Sequence, residues 1–95
     1  MRTIFKQKLD VTDHQIIEIP VSYKILHLGM QEGNVCMWYE CTPDAPLKKV
    51  EIRCFGTGYN MPDYGTPDGA MEHIGTVLTE GGMYVWHYYM MLRLL

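Results

Sequence analysis

Hydrophobic and polar residues alternate along most of this chain, and glycine, proline or aspartate interrupts the apolar segments at short intervals. A period of two puts alternate side chains on opposite faces of a strand, and no period of 3.6 is sustained anywhere, so strands are expected rather than helices. Residues 3–11 place Phe5, Leu9 and Val11 on one face and Ile4, Lys6, Lys8 and Asp10 on the other. After the polar turn Thr12-Asp13-His14, a second strand over 15–19 stops at Pro20, which has no N–H for a central ladder. Residues 22–30 and 35–42 form an antiparallel hairpin around Gln31-Glu32-Gly33-Asn34, where Gly33 supplies a positive φ. The turn Pro43-Asp44-Ala45-Pro46 leads into the most regular strand, with Val50, Ile52 and Cys54 directed to the core and Lys49, Glu51, Arg53 and Phe55 outward.

Residues 56–69 carry closely spaced glycines and prolines and make a loop longer than ordinary connections, a candidate for function. A single helical turn fits only at Ala70 to Glu72. A short strand over 73–79, a tight turn Glu80-Gly81-Gly82 and a last strand over 83–92 follow. That last strand is apolar on both sides, with Tyr84, Trp86, Tyr88 and Met90 on one and Met83, Val85, His87, Tyr89 and Met91 on the other, which implies a central strand or a subunit interface. The pattern predicts a single all-β domain over 1–95, an antiparallel β-sandwich or open barrel of about six or seven strands. Val50, Ile52, Cys54, Phe5 and Leu9 are its expected core.

Size and charge narrow the function. Two domains would each fall near the size at which disulfides, metals or partners become necessary, so 95 residues argue for one. A net charge of −3 offers no global positive field, which argues against duplex nucleic acid. Residues 83–95 are the longest strongly apolar run; His87 and Arg93 break it and it is too short to span a bilayer, while the first residues lack the apolar core of a signal peptide. A cytoplasmic protein with no membrane contact is expected. Three cysteines, Cys36, Cys41 and Cys54, match no zinc spacing and read as reduced thiols, so neither a metal nor another cofactor is expected. Seven tyrosines, eight methionines and two tryptophans exceed what one small core comfortably hides, and a homodimer or homotetramer follows from that excess, with the last strand near the interface.

The most specific local feature is Arg53-Cys54-Phe55-Gly56-Thr57-Gly58-Tyr59, a strand running into a glycine turn with a hydroxyl inside it. Gly56 and Gly58 allow close backbone approach, successive N–H groups and Thr57 can donate to an anion, Arg53 adds charge and Tyr59 a stacking face. The competing reading is a plain turn or bulge. It is neither a Walker loop nor a dinucleotide fingerprint. The four histidines fall at no metal-ligand spacing, and His87 within an aromatic strand suits a structural imidazole. Neither Cys36 nor Cys41 has the flanking signature of a nucleophile, and Asp63, Asp68 and Glu72 suit a solvated loop better than an acid/base pair. Sequestration is therefore expected over hydrolysis. Arg53, Gly56, Thr57, Gly58 and Tyr59 form the expected ligand site, joined by Trp38, Trp86 and His87 from neighbouring strands.

Several short, ordered strings carry a resemblance over nearly the whole chain: Phe5-Lys6, Val11-Thr12-Asp13-x-Gln15, Lys24-Ile25-Leu26, Pro43-Asp44-Ala45-Pro46, Phe55-Gly56-Thr57-Gly58, His73-Ile74-Gly75-Thr76 and Val85-Trp86-His87. The sequence resembles a widespread group of small phage and prophage proteins that looks like the anti-CBASS nucleotide sponges. The resemblance implies an oligomer in the cytoplasm of an infected bacterial cell that binds 3′,3′-cyclic GMP-AMP or a related cyclic dinucleotide without cleaving it. Tyr59 stands where that pattern has histidine, and the tail beyond Tyr88 is longer and more hydrophobic than the pattern. A non-enzymatic oligomeric phage structural or adaptor protein is the other expectation, which accounts for the aromatic excess but leaves Gly-Thr-Gly without a role.

Overall fold

The alternation is realised as seven strands in the computed structural model, which describes residues 1–92: β1 (Thr3–Leu9), β2 (His14–Pro20), β3 (Tyr23–Gln31), β4 (Asn34–Cys41), β5 (Leu47–Gly56), β6 (Met71–Thr79) and β7 (Tyr84–Met91). They form two antiparallel sheets, one ordered β1-β4-β3 and the other β2-β5-β7-β6. The Cα envelope measures 41 × 35 × 16 Å, and its thin dimension suits two sheets stacked about 10 Å apart. The fold is thus all-β, as the alternation predicts.

The core lies between the sheets. Leu28, Val35, Met37, Tyr39 and Cys41 descend from one sheet onto Ile17, Ile19, Val50, Ile52, Cys54, Val77, Tyr88 and Met90 of the other. Four of the five expected core residues are there; Phe5 is not, being 40% exposed. Its ring meets Tyr39 edge-on at 6.1 Å midway along the edge strand β1, while Leu9, at the end of the same strand beside the turn that Tyr88 bonds, is 2% exposed. Burial of an aliphatic side chain contributes roughly 1.5–3 kcal/mol, so the inner face of β4, β5 and β7 carries most of the stability.

Turn chemistry fixes the registers. Gln31 pairs with Asn34, and the intervening Glu32 and Gly33 have φ of 51° and 80°, the double positive φ favoured in two-residue hairpins. Pro20 closes β2, an edge strand, where a missing N–H is tolerated. The expected helical turn at Ala70 to Glu72 is displaced: a 3₁₀ turn sits at Pro67–Gly69, capped by the Thr66 hydroxyl accepting from the Gly69 N–H, and Met71 and Glu72 already belong to β6. Proline at the first position and a threonine cap before it explain the shift.

β7 is a central strand of its sheet, which meets the expectation raised by its two apolar faces. Tyr88 is fully buried and its hydroxyl crosses to the β1–β2 turn, donating to the Asp10 carbonyl at 2.9 Å. Burial, then the neighbouring Cys54, holds this phenol far above its ordinary ionisation range. The same burial pushes the Cys54 thiol up. Cys36, Cys41 and Cys54 are all free and buried.

Candidate functional site

The odd-numbered residues of β5 and β7 face away from the core, and there the polar chemistry gathers. Phe55 lies opposite His87 and Arg53 opposite Tyr89, while β6 brings Thr76 opposite His87 and His73 opposite Tyr89. Register alone thus places Arg53, His73, Thr76, His87 and Tyr89 on one sheet face. Thr57, one residue beyond the strand, joins them because its N–H bonds to the Val85 carbonyl at 3.2 Å and keeps the turn against β7.

Both nitrogens of His87 are engaged. Nε2 lies 2.8 Å from Thr57 Oγ1 and Nδ1 lies 3.0 Å from Thr76 Oγ1, and Thr76 Oγ1 also meets His73 Nε2 at 2.9 Å. The four side chains therefore form one hydrogen-bonded line, and two proton directions satisfy it. In one, His73 donates to Thr76, Thr76 to His87 and His87 to Thr57, which leaves the exposed Thr57 O–H as a donor. In the other every donor is reversed and Thr57 presents a lone pair. An anion at Thr57 selects the first direction and fixes both tautomers at once.

Arg53 stands beside this line. Its Nε donates to the Asp13 carbonyl at 3.1 Å and its guanidinium carbon lies 5.0 Å from the centre of the Phe55 ring, so the planar group is oriented with donors to spare. Tyr89 touches Phe55 and His73 edge-on, at 5.8 and 5.2 Å. Expected as solvent-facing residues, Phe55 and Glu51 do point outward from the core yet are buried. Arg53 and Tyr89 contact the ring of Phe55, and the Glu51 carboxylate is paired with His14 on β2. An ionised carboxylate so poorly hydrated needs such a partner. The alternation gave no warning of this pair, because His14 stands in what reads as a turn.

The expected site residues divide into three groups. Arg53, Thr57 and His87 share the outer face just described. Gly56, Tyr59 and Trp86 meet on the other side: a Cβ at Gly56 would lie 3.2 Å from the Trp86 ring and 3.3 Å from that of Tyr59, so only glycine admits both rings at this spacing. The Trp86 indole N–H donates to Thr79 Oγ1 at 2.9 Å and the ring packs against the core. Gly58 takes φ of 91° in the turn that joins the two sides. Trp38 falls apart from both. It pairs with Lys6 and His27 on the outer face of the three-stranded sheet, its ring 5.9 Å from the His27 imidazole, on the opposite side of the sandwich from His87.

Sequence reasoning missed Thr76 and His73. The signal was present in His73-Ile74-Gly75-Thr76, but a bulge between His73 and Gly75 is what returns His73 to the same face as Thr76. Among the described residues no three His, Cys, Asp or Glu side chains group as a metal site, and no helix is long and apolar enough to cross a membrane.

Residues 1–93 match the family described as a domain of unknown function, DUF7352, and the chain belongs to that family. No curated protein and no solved structure matches it.

Proposed function

We propose that this protein binds a cyclic oligonucleotide signal, such as 3′,3′-cyclic GMP-AMP, on the outer face of the four-stranded sheet and sequesters it without cleavage, acting as an oligomer in the cytoplasm of a phage-infected bacterium. The observation that carries the reading is the line from His73 to Thr57, which ends in an exposed hydroxyl inside a glycine turn, with Arg53 on the same face. A phosphate needs donors of this kind, and Tyr89 on the same face offers a ring to a base. The resemblance to phage nucleotide sponges in the sequence strings supports the choice of a cyclic dinucleotide among organic phosphates. Sequestration is supported by His87, whose two nitrogens are already bonded to threonine hydroxyls, so that neither has a free lone pair for activating water.

A protein-docking role is favoured by a different observation. The open end of the sandwich exposes Val11, Met30, Leu78, Met83 and Tyr84 around one groove, an apolar rim that suits a structural or adaptor protein. One experiment separates the two. The protein is incubated with a panel of cyclic di- and trinucleotides, freed of unbound ligand, heated, and the supernatant analysed. Intact nucleotide recovered in stoichiometric amount and a raised melting temperature are expected. Linear product with turnover means an enzyme, and no retained nucleotide transfers the case to the docking role.

A further inference from the structure

The outer face of the three-stranded sheet lies on the opposite side of the sandwich from His87, and the long 57–70 loop joins two strands of the other sheet. Register arranges the outward side chains of this face in three cross-strand rows. Ile4, Glu40 and Lys24 make the first, Lys6, Trp38 and His27 the second, and Lys8, Cys36 and Gly29 the third. Arg2 continues the outward phase of β1 and reaches Glu40 at 3.7 Å. The chain has 11 acidic side chains to 8 lysines and arginines. Yet this face collects Arg2, Lys6, Lys8 and Lys24, and Glu40 is the one carboxylate among the described residues that point outward from its strands. Charge is segregated, so a protein without a global positive field has a local one.

The centre of this face is aromatic. The Trp38 indole lies 5.9 Å from the His27 imidazole with the planes inclined at 33°, so two neighbouring rings pave the middle row. A Cβ at Gly29 would lie 2.7 Å from His27 Nε2, and glycine there is what lets the imidazole lie along the sheet. The core does not account for the tryptophan, since the inward positions of β4 belong to Val35, Met37, Tyr39 and Cys41. The Lys6 ammonium reaches across β4 and donates to Gln31 Oε1 on β3 at 2.7 Å. Its charge therefore sits over the face and not off the edge of β1. Lys8 follows two residues on, about 6.6 Å along the strand, close to the spacing of successive phosphates in an extended single strand.

We infer that the outer face of β1, β4 and β3 binds single-stranded nucleic acid, with unpaired bases stacked on Trp38 and His27 and phosphates held by Lys6, Lys8 and Lys24. Rings surrounded by cations are the combination that takes a flexible polyanion with exposed bases. A duplex keeps its bases stacked on one another and offers Trp38 only its terminal pair. A phospholipid surface supplies phosphates but no base, and it selects apolar side chains where this face has an indole and an imidazole flanked by charge. The face is separate from Thr57 and His87, and the inference does not rest on cyclic-nucleotide binding.

The probe is a short fluorescein-labelled oligothymidylate, read by anisotropy at several salt concentrations with the wild type, Lys8→Gln, Lys24→Gln, Trp38→Phe and Trp38→Ala, while amide chemical shifts map the contact. Each lysine variant binds more weakly and lowers the slope of log affinity against log salt by about 0.7, the value for one phosphate of a single strand. Trp38→Ala weakens binding about 10-fold with the salt slope unchanged, and Trp38→Phe retains most of the affinity. Lys8 and Lys24 are exposed, so their variants test the face even if Trp38→Ala fails to fold. The shifted amides cluster at Lys6, His27 and Trp38. An affinity and salt slope shared by the wild type and all four variants overturn the inference, as do shifts confined to Thr57 and Thr76. Inorganic polyphosphate or a duplex of the same length binding as tightly as the oligothymidylate overturns it too, since charge alone would then suffice. No binding of the oligothymidylate overturns it, whether or not phosphatidylserine vesicles capture the protein. Failure of cyclic GMP-AMP to bind at Thr57 leaves every one of these outcomes readable.

Discussion

The inner and outer faces of β5 and β7 are built from the same stretch of sequence, one residue out of phase, and they do different work. Inward, Ile52, Cys54, Tyr88 and Met90 are packed in the core, and the one hydroxyl among them is bonded to a backbone carbonyl. Outward, Phe55 is buried as deeply as Cys54, at 6% against 5% exposed, yet its neighbours are Arg53, His87 and Tyr89. Burial therefore does not distinguish the faces. What separates them is whether the hydrogen bonds connect: the inner face makes isolated ones, Tyr88 to the Asp10 carbonyl, Trp86 to Thr79 and Tyr23 to the Met90 sulfur, while the outer face links His73, Thr76, His87 and Thr57 into one line that ends at an exposed hydroxyl.

The largest expected effect breaks the inner face. Ile52 is fully buried on the most regular strand, and Ile52→Ala leaves a cavity that costs about 2–5 kcal/mol in chemical denaturation, a large share of the stability of so small a domain. The outer-face amide shifts are then expected to move only with global unfolding. A loss below about 1 kcal/mol would mean that the core collapses around the cavity, and that the inner face is not the part that specifies the fold.

Tyr88→Phe sharpens the same face. It removes the hydroxyl that reaches Asp10 while keeping the ring, at a cost of about 0.5–1.5 kcal/mol. The pH dependence is distinctive. Tyr88 and Cys54 both hold their protons more tightly folded than unfolded, so the folded state binds more protons at alkaline pH. Stability is fully present below the ordinary thiol value and falls as pH rises past it and then past the ordinary phenol value of about 10. In Tyr88→Phe the second part of this fall is reduced. An alkaline unfolding curve identical to that of the wild type would remove Tyr88 from the account.

Much of this was legible in the chain. Alternation over β5 fixed the inward set Val50, Ile52 and Cys54, and the two-sided apolarity of residues 83–92 pointed to a central strand or a subunit interface, of which the sheet order shows the first. The clustering of Arg53, Thr57 and His87 followed from a glycine turn and an adjacent strand. Other features were not local. Phe5 and Leu9 share one face of the edge strand β1 and read alike in the alternation, yet Leu9 is buried and Phe5 is not, because how far the other sheet reaches along an edge strand is a long-range property that alternation does not encode. Trp38 has the right side chain on the wrong sheet for the same reason. The bulge that brings His73 to Thr76 adds one residue to β6, and a strict period of two places His73 and Thr76 on opposite faces. The long hydrophobic tail beyond Tyr88 extends in part over residues 93–95, outside the described residues.

On the outer face the expected stability effects are small and the binding effects larger. Arg53→Ala removes one guanidinium that is partly exposed and bonded to a carbonyl. Its loss is expected to weaken a bound phosphate by roughly 10-fold or more, as for a charge-assisted hydrogen bond, with wild-type affinity falling faster than the variant's as salt is raised. Isothermal titration with cyclic GMP-AMP at two salt concentrations checks it. Equal affinities in both proteins would confine the role of Arg53 to the Asp13 carbonyl.

The smallest expected effect is the most informative about the line of hydrogen bonds. Thr76→Val keeps the shape of the side chain and removes the oxygen shared by His73 and His87. Thr57 and its bond to His87 remain, so any ligand contact at Thr57 is retained. What is lost is the coupling: His87 Nδ1 no longer has a donor, and the tautomer that leaves the Thr57 O–H free is no longer enforced. A drop of about 3-fold in phosphate-ligand affinity is expected, on the order of a neutral hydrogen bond acting at one remove. The tautomers of His73 and His87, read from their imidazole nitrogen shifts, should become mixed in the variant and be single in the liganded wild type. If the His87 tautomer stays single in Thr76→Val, the bond to Thr57 alone sets it, and the outer face contains a threonine–histidine pair rather than a continuous line.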